Sequence, residues 1–274
     1  MAGVDSHQHF WRLDRDDYGW LTPALSPIYR DYLPEDLAPQ LARAGVSSTI
    51  AVQAAPTEAE TRFLLQLARE HSFIAGVVGW VDFESAAAVD AVGELAGDVN
   101  LVGLRPMIQD IPDPEWMLRQ EFAPVFEAMI DNGLVFDALV KPQHLPALRE
   151  LAARYPDLTM VLDHAAKPPL ATGSIDAWKR EIALLAGASD IVCKISGLVT
   201  EAGYADAPTF VECVDHLLET FGTQRLMWGS DWPVCELVCS YQHWHSVSSI
   251  LINRLSFAER ELIQAGVARK TYGI

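Results

Sequence analysis

Leu158-Thr159-Met160-Val161-Leu162-Asp163-His164 is an almost continuous apolar run that ends in two titratable side chains. A strand with one wet face alternates apolar and polar residues. A continuous run marks a strand covered on both faces, as in a parallel sheet with helices outside it. Working outward, seven further runs read the same way: 3–10, 48–54, 73–81, 101–105, 134–140, 191–196 and 226–231. The segments between them carry helix signals. Pro34-Glu35-Asp36-Leu37 places a proline and acids where a helix start favours them, and Gly45 closes that helix. Thr57, followed three residues later by Glu60, predicts a capping box for a helix over 58–70. Helices are also expected over 85–95, 124–132, 146–155, 175–185 and 208–221. Eight strand–helix units with no break in composition predict an α/β architecture, a single (β/α)8 barrel over residues 1–274. A doubly wound open sheet is the rival, but no G-x-G-x-x-G or Walker pattern follows any strand.

Half of the 274 residues are apolar and 21% are charged, a globular composition with enough chain to bury a large core. A net charge of −17 and a pI near 4.7 argue against nucleic acid and anionic membranes as partners, since both need a basic surface. Cys193, Cys213, Cys235 and Cys239 form no C-x-x-C pair and are read as free thiols in a reducing compartment. The chain enters its first strand almost at once, leaving no room for a basic and apolar leader, and no apolar run approaches the roughly 18 to 20 residues that span a bilayer. The expectation is a cytoplasmic protein with a small-molecule substrate; self-association into a homo-oligomer is left open.

In a (β/α)8 barrel the chemistry sits at the C-terminal ends of the strands. There the sequence places His7 and His9, Gln53, Trp80 and Asp82, Arg105, Lys141, Asp163 and His164, Lys194 and Ser196, and Ser230, Asp231 and Trp232. His7 and His9 are two apart, so in a strand they project to one side. With His164 and Asp231 they make a first shell suited to zinc or another divalent ion, with water completing it. Asp231 is the candidate general base, and Arg105 and Lys194 are candidate clamps for an anionic or hydroxylated substrate. A buried acid as the partner of Lys194 is an equal reading, and Gln53 can serve as a hydrogen-bond plug. The aromatic-rich loop 11–34, with Tyr32 among its residues, is long enough to expect a pocket wall. His71, His144, His216, His243 and His245 carry no comparable pattern.

Taken together, Asp5-Ser6-His7-Gln8-His9-Phe10-Trp11, Arg30-Asp31-Tyr32-Leu33-Pro34, Ala51-Val52-Gln53-Ala54 and Gly103-Leu104-Arg105 resemble a known family. So do Leu162-Asp163-His164-Ala165-Ala166-Lys167-Pro168, Cys193-Lys194-Ile195-Ser196-Gly197-Leu198 and Gly229-Ser230-Asp231-Trp232-Pro233-Val234. In barrel order they resemble the amidohydrolase superfamily, in its sugar-lactonase branch that includes L-fuconolactonase and L-rhamnonolactonase. The resemblance implies a (β/α)8 fold and hydrolysis of an aldonolactone such as L-fucono- or L-rhamnonolactone, with Asp231 as general base. It also implies that His7, His9 and His164 are metal-ligand positions. Arg105 and residues 137–141 stand where binuclear relatives carry a bridging residue and a histidine, which implies one ion rather than two. Some lactonases of this branch act without metal, so metal-independent catalysis by the same imidazoles is the second reading. Arg105, Lys194, Gln53, Trp80, Tyr32 and Trp232 are the expected substrate contacts. Neighbouring branches supply two alternatives, a metal-dependent decarboxylase of an aromatic or muconate-type acid and a hydrolase of a carboxylated pyrone or muconolactone. A non-enzymatic sugar-acid binder is the alternative of a different class.

Overall fold

The computed structural model describes residues 2–274. Eight parallel strands form one sheet in sequence order: β1 (Gly3–Gln8), β2 (Val46–Val52), β3 (Ile74–Gly79), β4 (Leu101–Leu104), β5 (Val135–Ala138), β6 (Met160–Leu162), β7 (Val192–Ile195) and β8 (Leu226–Trp228). Helices α1 (Pro34–Ala44), α2 (Glu58–Glu70), α3 (Ala88–Leu95), α4 (Ala123–Asp131), α5 (Leu145–Arg154) and α6 (Asp176–Ala188) follow the first six strands in turn. β7 leads into α7 (Leu198–Ala202) and α8 (Ala207–Phe221), and β8 into α9 (Tyr241–Leu251), α10 (Phe257–Glu261) and α11 (Val267–Tyr272). Among the described residues no helix is long and apolar enough to cross a membrane. The (β/α)8 barrel expected from the eight apolar runs is the architecture found.

The seam between the last strand and the first is stitched by single bonds rather than by a full ladder. Asp231 N–H donates to His7 O at 2.8 Å, His9 N–H to Trp232 O at 2.7 Å, and the Ser6 hydroxyl to Trp228 O at 2.7 Å. Asp5, fully buried, accepts from the Ser230 N–H at 2.8 Å and from the His7 N–H at 3.2 Å.

Side chains alternate along each strand, and the lumen shows the consequence. Val4, Ile50, Val52, Val78, Val135, Val161 and Met227 meet inside the barrel, closed from below by Ala265, Val267, Ala268 and Tyr272. Two residues further up the same inward face, Val135 is followed by Asp137, Val161 by Asp163 and Val192 by Lys194. The lumen is therefore apolar at its floor and charged towards its mouth. A larger apolar layer fills the space between strands and helices.

Local differences from the sequence reading have local causes. The sixth and eighth strands stop at Leu162 and Trp228, which puts Asp163-His164 and Ser230-Asp231 on turns rather than on strands. The third helix begins at Ala88, three residues later than expected. Loop 11–34 is ordered by short helical turns at Leu13–Arg15 and Pro23–Leu25 and by a bridge between Trp11 and Tyr32. Thr57 does cap α2 by accepting from the Glu60 N–H at 3.1 Å, but Glu60 completes no box. Its carboxyl turns back to accept from the Ala54 and Ala55 N–H groups, tying α2 to the exit of β2.

Burial pushes the Glu60 carboxyl up to about 8, against the pull of those two N–H groups. A carboxyl whose folded pKa is raised favours folding at low pH, and that contribution is lost as pH rises from the unfolded value towards the folded one. Glu60→Gln is expected to narrow the difference in melting temperature between pH 5 and pH 8; calorimetry at the two pH values checks it, and an unchanged difference would remove Glu60 from this role.

Candidate active site

Four side chains converge where the barrel opens, each delivered by a strand exit. His7 and His9 leave β1, His164 follows β6, and Asp231 follows β8. Asp231 Oδ1 lies 3.3 Å from His9 Nε2, 3.8 Å from His7 Nε2 and 3.9 Å from His164 Nε2. The imidazoles of His7 and His164 stand 4.4 Å apart between ring centroids, and those of His7 and His9 5.0 Å apart. All four residues are buried. Asp231 and His164 both adopt left-handed backbone, φ 56° and 51°, and His164 begins a run of four such residues through Lys167. Non-glycine residues resist that region at about 1–2 kcal/mol each, so such strain is retained only where the surroundings enforce it. Gly197 makes the turn possible, because a Cβ there would lie 2.7 Å from His164 Nδ1.

Each ring is oriented from behind. His9 Nδ1 donates to Val52 O at 2.7 Å, His164 Nδ1 meets the Ser196 hydroxyl at 2.9 Å, and His7 Nδ1 faces Asp163 Oδ1 at 3.3 Å. Such partners fix the tautomer and aim the remaining nitrogen. A carbonyl can only accept, so in neutral His9 the Nε2 lone pair points at a carboxylate oxygen 3.3 Å away. Two acceptors that close call for a cation between them, which is how a metal or a proton would be held. His7, His9 and Asp231 offer ligand atoms all within 4.8 Å of one another, and so do His7, Asp163 and His164. The donor set of imidazole and carboxylate suits zinc. At the His7 corner Arg105 intrudes, its Nη1 3.3 Å from His7 Nε2.

Charge decides the protonation states. Burial lowers His164 to about 4 against the pull of Asp231 and Asp163, and burial also holds His7 well below its ordinary value. Burial pushes the Asp231 carboxyl up, but the neighbouring His164, His9 and His7 outweigh it and hold the group below the usual carboxylate range. Asp231 is thus an ionised carboxylate facing buried imidazoles.

The sequence profile of the amidohydrolase family matches residues 4–274. The chain belongs to the amidohydrolase family. An L-fucono-1,5-lactonase of Burkholderia ambifaria is 47% identical to it over 235 residues, covering 85% of this chain and 81% of that protein. An L-fucono-1,5-lactonase of Burkholderia multivorans is 39% identical over 284 residues, covering 99% of this chain and 96% of that protein. The crystal structure of a Burkholderia multivorans amidohydrolase with bound zinc has a TM-score of 0.93 at 38% identity and covers all of both chains.

In this amidohydrolase a cavity of about 300 Å³ exposes His9, His164, Asp231 and Arg105. Its walls bring in Trp20, from the aromatic loop expected to wall a pocket, and Met107, Leu139 and Lys167, to which the sequence reading assigned no role. Lys167 ends the left-handed turn and bonds Glu201 at 3.1 Å; its position directly after the histidine motif was the one available signal. Trp20 is fixed by its indole N–H donating to Ala54 O at 2.7 Å, and nothing in a loop sequence announces that contact.

Several expected substrate contacts lie elsewhere. Lys194 is fully buried and is not among the residues lining that cavity: its ammonium binds Asp137 at 2.5 Å and Asp163 at 3.0 Å and lies 3.2 Å from His7 Nδ1. The buried-acid reading is the one its geometry matches. Gln53 donates to Arg105 O at 2.7 Å while its own carbonyl accepts from the Arg105 guanidinium, so it locks the exits of β2 and β4 together. Tyr32 and Trp232 are buried behind the site, where the phenol and the indole N–H each bond Glu236, at 2.8 and 2.9 Å. Trp80 lines a neighbouring cavity of about 420 Å³, which shares Met107 and Asp110 with the first. His243 Nε2 meets Ala205 O and the Trp244 indole N–H donates to Gly229 O, and neither side chain lines the cavity.

Proposed function

We propose that this amidohydrolase opens the ring of a sugar-acid 1,5-lactone, with L-fucono-1,5-lactone as the first substrate to test. The observation that carries the reading is the ionised Asp231 carboxylate set among three oriented imidazoles on the floor of a cavity sized for one sugar ring. The two L-fucono-1,5-lactonases at 47% and 39% identity support the choice of substrate. The decarboxylase and pyrone readings draw less support from those two relatives.

The lactone carbonyl faces the imidazoles and the Arg105 guanidinium. Water attacks the carbonyl carbon as Asp231 takes its proton, and the carbonyl electrons move onto oxygen. Arg105, held by Asp163 at 3.2 Å and by Gln53 O, offers fixed positive charge to that oxyanion without having to reorganise. Collapse then breaks the bond to the ring oxygen, which leaves with the proton from Asp231, so the product is the open hydroxy acid. His7, His9 and Asp231 would hold a divalent ion, with His164 beside them, and such an ion would supply Lewis-acid polarisation of the carbonyl. The apolar walls, Trp20, Met107 and Leu139, exclude bulk water and suit the methyl end of a 6-deoxy sugar.

A pH-indicator assay over aldonolactones and aromatic carboxylates tests the reading. Acid release on L-fucono-1,5-lactone at least about tenfold faster in kcat/KM than on its 6-hydroxy counterpart is expected, the usual scale for discrimination at an apolar wall. Proton uptake on a carboxylate, with no lactone turned over, would overturn it.

A further inference from the structure

The charged layer of the lumen is tied to its floor by one side chain. Tyr272, in α11, extends its hydroxyl to both carboxylate oxygens of Asp137, at 3.0 and 2.9 Å. Its ring lies 5.4 Å from the Lys194 ammonium, within reach of a cation–π contact. A phenylalanine would fill the same place in the apolar floor, so the hydroxyl answers to Asp137 rather than to the floor. Asp137 and Asp163 share the ammonium of Lys194, and Asp163 is at the same time the acceptor facing His7 Nδ1.

We propose that Tyr272 is a positioning residue for His7, acting through Asp137 and Lys194. Its single hydroxyl proton, shared between the two oxygens of Asp137, satisfies the part of that carboxylate that Lys194 does not. Without it, Asp137 is a buried anion with one donor, and the ammonium is drawn towards it and away from Asp163. Asp163 then faces His7 with less of its charge offset, and the acceptor that orients His7 Nδ1 shifts with it, leaving Arg105 at Nε2 as the remaining fixed partner. The site thus depends on a hydroxyl that enters from the opposite end of the barrel and touches no substrate.

The kinetic part of the test rests on the lactonase reading; the spectroscopic part does not. Tyr272→Phe removes the hydroxyl and keeps the ring. It is expected to lower kcat about tenfold, as loss of an outer partner of a site histidine does, with KM within about twofold. The melting temperature should stay within a few degrees, and the imidazole nitrogen signals of His7, assigned by comparison with His7→Asn, should move. A His7 signal that does not move overturns the proposal whatever the rate does. A kcat within twofold of the parent overturns it as well. If the parent turns over no lactone, the lactonase reading fails while the His7 signal still judges the role of Tyr272.

Discussion

Asp231→Asn is expected to give a folded barrel that opens its lactone about 10³-fold more slowly, within the span that loss of a general acid–base group covers. The substitution suits the site because asparagine tolerates left-handed backbone nearly as well as aspartate, and position 231 sits at φ 56°. The seam bond from its main-chain N–H to His7 O involves no side-chain atom and is retained. The amide offers no basic oxygen to attacking water, and its NH₂ turns a donor towards His9. KM should change far less than kcat, since the carboxylate acts on water rather than on the sugar. Steady-state kinetics beside a melting curve decides the matter. A folded variant within tenfold of the parent rate removes Asp231 from proton transfer.

Lys194→Met is expected to cost about 3–5 kcal/mol of stability, the range for stripping one partner from a buried ion pair. Methionine matches the length of the stem, so packing changes little and the loss is electrostatic. Asp137 and Asp163 would be left sharing Arg105 and the Tyr272 hydroxyl, with two buried negative charges against one positive. Adding Asp137→Asn should return part of the loss, because it removes the charge left without a partner. Urea unfolding of the single and double variants measures both effects. A single variant within about 1 kcal/mol of the parent would show that the two aspartates are not both charged in the native state.

The barrel was legible because its strands are buried on both faces, and eight unbroken apolar runs of strand length admit few other arrangements. The same property hides direction. Along Cys193–Ser196 every residue is covered, so hydrophobicity alone does not say that Lys194 turns into the lumen while its neighbours turn to the helices. His7, His9, His164 and Asp231 were placed at the mouth by strand order alone. What brings the three imidazoles within 4 Å of Asp231 Oδ1 is the left-handed turn at 164–167 and the seam at 231, and neither has a periodic signature. Glu60 reads as half of a capping box because the spacing is right; only the β2 exit packed against it shows that Ala54 and Ala55 are better donors. Tyr32 and Trp232 carry the aromatic surface a sugar contact needs, but Glu236, two residues past the Gly229–Val234 motif, draws both behind the site.

The seam has a consequence for how the molecule comes to be. His7 and Asp231 are joined across the one junction that unites the two ends of the sheet, so the pairing that closes the ring also assembles the site. Contacts so distant along the chain are the slowest kind to form. During refolding, helices and neighbouring strand pairs can be in place while the ring is still open, and such a species carries every ligand and no constellation. Turnover is therefore a clock for the final closure, and a substitution that loosens the seam will delay recovery of activity before it shows in the helical signal.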